Sequence, residues 1–196
     1  MMPKRLVWVF ALLLGLTVPT AGLQAQGIRL GLKAGAANSD IAQVDNTEKR
    51  WGFVGGAYVG LGLGSIIVQP ELLYVQRKAR VLDGDANLVD LNQDYVDVPL
   101  LVGFTFGIIV KPMLYLGPVA SFETSCGISF ETLSSECTDF DTKSAVLSGA
   151  IGAALDVGLF NIDVRYNVGL SDLQDGADGK WNTLMITAGV GLSLGL

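Results

Sequence analysis

Eight ionisable residues stand where they could do chemistry: the acids Glu71, Asp97, Asp156 and Asp163, and the bases Arg29, Lys33, Arg77 and Arg165. Two neighbouring carboxylates can act as general acid and base. A carboxylate beside a guanidinium or ammonium group can instead form a structural ion pair. The 196 residues include no histidine, which excludes any mechanism built on an imidazole base or ligand. Each of the four acids has a basic neighbour on the same face of its segment. The expectation is therefore a paired ionic network, not an enzyme, with no cofactor.

Three further features invite a chemical reading. Cys126 and Cys137 lie in one polar stretch, ten residues between them. In an exported chain such a pair is expected to form a disulfide; free thiols or a metal pair are the alternatives, and two cysteines without histidine make a poor zinc site. Asp83, Asp85 and Asn87 have the one-three-five spacing that opens a calcium loop. The sixth position is Leu88 where glycine is required and the twelfth is Asp94, so a solvated acidic loop is expected and no metal site. The run Gly60-Leu61-Gly62-Leu63-Gly64 has no following Walker lysine. It fits a strand end and tight turn better than a phosphate cradle.

The elements that carry these residues follow from composition and periodicity. The chain is 50% hydrophobic and 16% charged, with 25 glycines. Soluble domains average about 25% charged and about 7% glycine. Disorder is excluded by the hydrophobicity, and a net charge of -6 argues against a nucleic-acid partner. At the N-terminus, Lys4 and Arg5 precede an apolar stretch from Leu6 to Leu16 and then small residues. That layout is a secretory signal peptide, expected over residues 1–25 with cleavage after Ala25. Residues 26–196 then carry 11 basic and 19 acidic residues, a net -8. No later apolar run approaches the roughly 20 residues of a membrane helix. An exported, apolar, helix-free chain points to a closed barrel.

Alternation supports it. Ile28, Leu30, Leu32, Ala34 and Ala36 share one face, against Arg29, Gly31, Lys33 and Gly35; Leu184 to Leu196 and Ile162 to Leu170 behave alike. With strands at about 51–62, 66–78, 94–106, 113–123 and 144–157, the reading is all-β: an eight-stranded antiparallel up-and-down transmembrane β-barrel. Short connectors (62–65, 107–112, 158–160) alternate with long polar ones (38–50, 80–93, 124–143, 172–181), as up-and-down strands across a membrane require. Both chain termini then fall on the short-turn, periplasmic side. Of the 19 acids, 15 fall in or beside the long connectors. The other four, with Arg29, Lys33, Arg77 and Arg165, lie opposite the apolar face and are expected to fill the lumen. Trp51, Phe53, Tyr74 and Trp181 toward the long loops, with Phe106 and Phe160 at the other end, are expected as membrane-interface aromatics.

The segments Gly31-Leu32-Lys33-Ala34-Gly35, Pro70-Glu71-Leu72-Leu73-Tyr74, Tyr95-Val96-Asp97-Val98-Pro99-Leu100-Leu101, Tyr115-Leu116-Gly117-Pro118 and Asp163-Val164-Arg165-Tyr166-Asn167-Val168-Gly169-Leu170, in this order, resemble the bacterial outer-membrane β-barrel domain family often labelled "porin family protein". The resemblance spans about residues 27–196. It implies an OmpA-like eight-stranded barrel in a Gram-negative outer membrane and implies no agreed activity. The expected role is structural, in the envelope, or loop-mediated binding and adhesion, around a filled narrow lumen. A small-solute pore is the alternative, and a soluble lipocalin-like carrier a more distant one. Expected partners are outer-membrane lipid and lipopolysaccharide, with an extracellular ligand reached through the loops, and the expected state is a monomer.

Overall fold

The computed structural model describes residues 27–42, 47–82, 88–107, 109–130, 133–136, 145–171 and 180–194. They form nine strands and no helix: β1 (Gly27–Ala42), β2 (Thr47–Leu63), β3 (Ile66–Leu82), β4 (Leu88–Thr105), β5 (Val110–Phe130), β6 (Leu133–Glu136), β7 (Ala145–Val157), β8 (Phe160–Gly169) and β9 (Lys180–Leu194). Neighbours pair antiparallel in the order β4-β3-β2-β1-β9-β8-β7-β5, and β4 also pairs with β5. Eight strands therefore close into a barrel whose wall has no free edge. The four-residue β6 stands apart, folding back on the far end of β5 from Phe130↔Leu133 to Gly127↔Glu136.

The short turns obey hairpin chemistry. Gly64 and Gly158 open two-residue connections at φ 67° and 59°, the left-handed region that primed hairpin turns need and that glycine reaches without strain.

Most strands run longer on the long-connector side than alternation suggests. β5 reaches Phe130 and not 123, β4 starts at Leu88 and not 94, and β3 continues to Leu82 and not 78. A span needs only about 9–11 tilted residues. Beyond it both faces can be polar, so the hydropathy alternation fades while backbone pairing continues. Gln76-Arg77-Lys78-Ala79-Arg80 shows this: it is charged on alternate faces, yet laddered from Gln76↔Asp94 to Arg80↔Asp90.

Outward positions are apolar and uncovered, as at Leu32, Leu72, Leu114, Ile151 and Leu192. In water so broad an apolar surface would be a liability; against hydrocarbon it is the stable face. The inward face departs from the expectation of glycines and charges alone. It also holds apolar layers: Val54, Leu73, Val75 and Met185 in one, Leu101, Met113 and Val119 in another. Closed barrels of eight strands have an interior that side chains just fill, and these residues fill part of it.

Three expectations fall outside the described residues: the signal peptide, the Asp83–Asn87 loop, and the disulfide, since Cys137 and the side chain of Cys126 are not described.

Candidate functional site

The candidate site is the lumen. Its ionisable residues come from alternate positions of β1, β3, β4, β7 and β8, so the two-residue period of a strand delivers them to one face. Six of the eight (Lys33, Glu71, Arg77, Asp97, Asp163 and Arg165) are buried; Arg29 and Asp156 are partly buried at the short-turn end.

The lowest tier joins β1 to β7. Arg29 Nη2 lies 3.4 Å from Asp156 Oδ1, and Asn161 Nδ2 donates to the same oxygen at 2.7 Å. Arg29 Nε also donates to the Tyr58 hydroxyl at 3.2 Å.

The middle tier centres on Glu71. Lys33 Nζ donates to its Oε1 at 2.8 Å, Gln69 Nε2 to Oε1 at 2.7 Å, and Arg165 Nη2 reaches Oε2 at 2.8 Å. Asp163 lies 3.8 Å from both cations and accepts the Tyr115 hydroxyl at 2.7 Å. Arg165 Nε donates back to Tyr115 at 3.2 Å. Two cations and two carboxylates leave this tier neutral, which is the condition under which ions tolerate burial. The cluster ties β1, β3, β5 and β8 together across the lumen.

The upper tier is Arg77, whose Nη2 donates to both Asp97 oxygens at 3.0 and 2.8 Å and to Ser121 Oγ at 3.0 Å. Its guanidinium carbon stands 4.3 Å from the centre of the Tyr95 ring, a cation–π contact. Above it, Trp181 Nε1 and the Tyr95 hydroxyl both donate to Gln93 Oε1, at 2.8 and 3.2 Å. Tyr95, Trp181, Ala79 and Val146 pack as one cluster.

Trp181 corrects the sequence reading. It is 3% exposed inside the barrel, while Trp51 is 56% exposed outside. Trp181 shares the parity of the buried Thr183, Met185 and Thr187, so its position in the strand, not its residue type, decides its side. Phe53, Tyr74, Phe106 and Phe160 are exposed on the outer surface like Trp51. The sequence reading passed over Tyr58, Tyr95, Tyr115, Gln69, Gln93 and Ser121. Gln69, Gln93 and Tyr95 share the parity of an inward charge on their own strand, which could have found them; Tyr58, Tyr115 and Ser121 lie on β2 and β5, which carry none of the eight charges.

Chemically, the arrangement pairs each lumen carboxylate with a cation, and among the described residues no three His, Cys, Asp or Glu residues gather as metal ligands. Its polarity, ionic inside and apolar outside, is the reverse of a soluble carrier's.

The fold is similar to that of solved outer-membrane barrels. Neisserial surface protein A matches with a TM-score of 0.54 at 15% identity, covering 83% of this chain and 96% of that one. Ail of Yersinia pestis, solved with the heparin analogue sucrose octasulfate, matches at 0.48 and 20% identity, covering 85% and 99%. The N-terminal barrel of Pseudomonas aeruginosa OprF matches at 0.35 and 12% identity, covering 83% and 97%. No curated protein matches the chain significantly. A family profile described as an outer membrane protein beta-barrel domain matches residues 24–175. The chain, a closed eight-stranded antiparallel barrel of the bacterial outer membrane, belongs to the outer membrane protein beta-barrel domain family.

Proposed function

We propose that this protein is a non-enzymatic, non-conducting barrel that presents its long connectors at the cell surface. Its role there is structural, or the binding of an extracellular ligand. The observation that carries the reading is the stacking of neutral ion-pair tiers, apolar layers and the Trp181–Tyr95 cluster along the lumen. Opening a continuous water path would require separating buried charge pairs, each costly to break.

The extension of β3, β4 and β5 past the level where β7 begins, with β6 folded on β5, supports a role for the long-connector side. Such an extension carries strand pairing beyond the apolar belt on that side. The short turns face the periplasm in this reading, and the barrel works as a monomer with lipid and lipopolysaccharide against its apolar belt.

Planar-bilayer recording of the purified protein tests the lumen. Silence is the expected result, and stable large single channels would replace this reading with a pore. Surface proteolysis of intact cells tests the orientation: cleavage within 124–143 is expected, and cleavage only at the short turns would invert it.

A further inference from the structure

At the short-turn end the lumen widens into a cavity of about 220 Å³ whose lining includes Arg29, Gly60, Gly62, Gln69, Lys111 and Asp156. Two observations separate this vestibule from the packed tiers above it.

The first is the glycines. Several other wall glycines are sterically required: a Cβ on Gly56 would run into the Leu72 carbonyl and one on Gly35 into that of Ile186. A Cβ at Gly60 would stand 3.5 Å from its nearest neighbour and one at Gly62 3.4 Å, ordinary contact distances, and neither backbone is left-handed. Glycine weakens a strand interior, and at these two positions neither packing nor backbone geometry demands it. What the missing side chains do is keep the vestibule open.

The second is the charge. The vestibule has two cations and one carboxylate. Asp156 is already engaged by Asn161 and Arg29. Lys111, exposed and directly opposite Asp156 across β5 and β7, therefore leaves the lining net positive. Ser193 and Thr105 add hydroxyls to the wall, and Ile28 and Ile67 its apolar part.

We propose that the vestibule binds a small oxyanion, a phosphate or carboxylate group, between Arg29 and Lys111. The volume holds such a group with several waters, at about 30 Å³ per water. Charge-assisted hydrogen bonds from guanidinium and ammonium groups are the interactions that select oxyanions. The site lies below the middle tier and does not depend on whether the lumen conducts or which way the barrel faces.

The test is amide NMR of the full chain in detergent micelles, titrated with inorganic phosphate and separately with acetate at constant ionic strength. Saturable shifts are expected at Arg29, Gly60, Gly62 and Lys111. Lys111→Gln should weaken them about tenfold, the effect of losing one charge-assisted hydrogen bond, and Gly62→Leu should abolish them by filling the space. Lys111 is exposed, so its variant folds even where Gly62→Leu does not. Saturation by phosphate alone assigns a phosphate site, and saturation by both anions assigns an oxyanion site of either kind. Shifts that never saturate, or that persist unchanged in Lys111→Gln, overturn the proposal.

Discussion

Tyr115 covers Gly152, its directly opposed partner across β5 and β7, so that a Cβ at position 152 would collide with the tyrosine hydroxyl and with the carbonyl of Val164. The same relationship recurs where Tyr58 covers its partner Gly31. In both places a glycine leaves room for a large ring inside a narrow barrel. The Tyr115 hydroxyl is thereby delivered to Asp163 and Arg165.

Replacing Gly152 with valine should displace Tyr115 and loosen the middle tier. Overpacking of this kind costs about 1–3 kcal/mol, read as a lower midpoint in urea unfolding from lipid bilayers. Gly60→Ala, with an ordinary contact distance at its Cβ, should stay within about 0.5 kcal/mol of the parent, since nothing there needs to move. Equal losses in the two variants would mean that Gly152 has no special relation to Tyr115.

The middle tier predicts a charge-balance effect. Glu71→Gln leaves Lys33 and Arg165 facing only Asp163, and a buried pair broken from one side costs about 3–5 kcal/mol. The double variant Lys33→Met with Glu71→Leu leaves Arg165 and Asp163 as a neutral pair 3.8 Å apart. It should recover most of that loss, because removing both partners removes the uncompensated charge as well. A double variant less stable than Glu71→Gln alone would show that geometry, not neutrality, dominates the tier.

The outer face predicts a depth-dependent cost. Leu116, in the middle of the outward-facing run from Val110 to Phe122 of β5 and exposed on the outer surface, should cost about 2–4 kcal/mol in a bilayer when changed to arginine. Phe160→Arg, next to a short turn, should cost about 0–1 kcal/mol because the side chain reaches water. Similar costs at both positions would place the hydrocarbon elsewhere along the barrel.

How much of this was legible beforehand depends on which signal each feature used. The barrel was legible because the membrane forces apolar residues onto alternate positions and short turns onto one side, and both survive in sequence as periodicity. The inward placement of Glu71, Asp97, Asp163 and Arg165 followed from the same parity. Which charge meets which was not legible. Glu71 and Arg165 are 94 positions apart and meet across the lumen, a contact set by how the sheet closes and not by local spacing. Trp181 was misplaced because residue type was weighed over parity; its indole finds Gln93, 88 positions away. The strand extensions beyond the membrane were hidden for the opposite reason, since pairing there continues without any hydropathy pattern.

The cysteines give the last prediction. Gly127 of β5 pairs with Glu136 of β6; Cys126 directly precedes the one and Cys137 directly follows the other. In an exported chain, two cysteines so near in sequence are expected to pair. We therefore expect a Cys126–Cys137 disulfide in the exported protein, seen as a mass about 2 Da below that of the reduced chain. The expected stabilisation is about 2–3 kcal/mol for so short a loop, confined to the β5–β6 hairpin. Cys126→Ser should accordingly speed proteolysis near 124–143 and leave the unfolding midpoint of the barrel almost unchanged. Two alkylatable thiols in protein isolated from the outer membrane would refute the pairing, and a large fall in barrel stability would show that the hairpin is coupled to the wall below it.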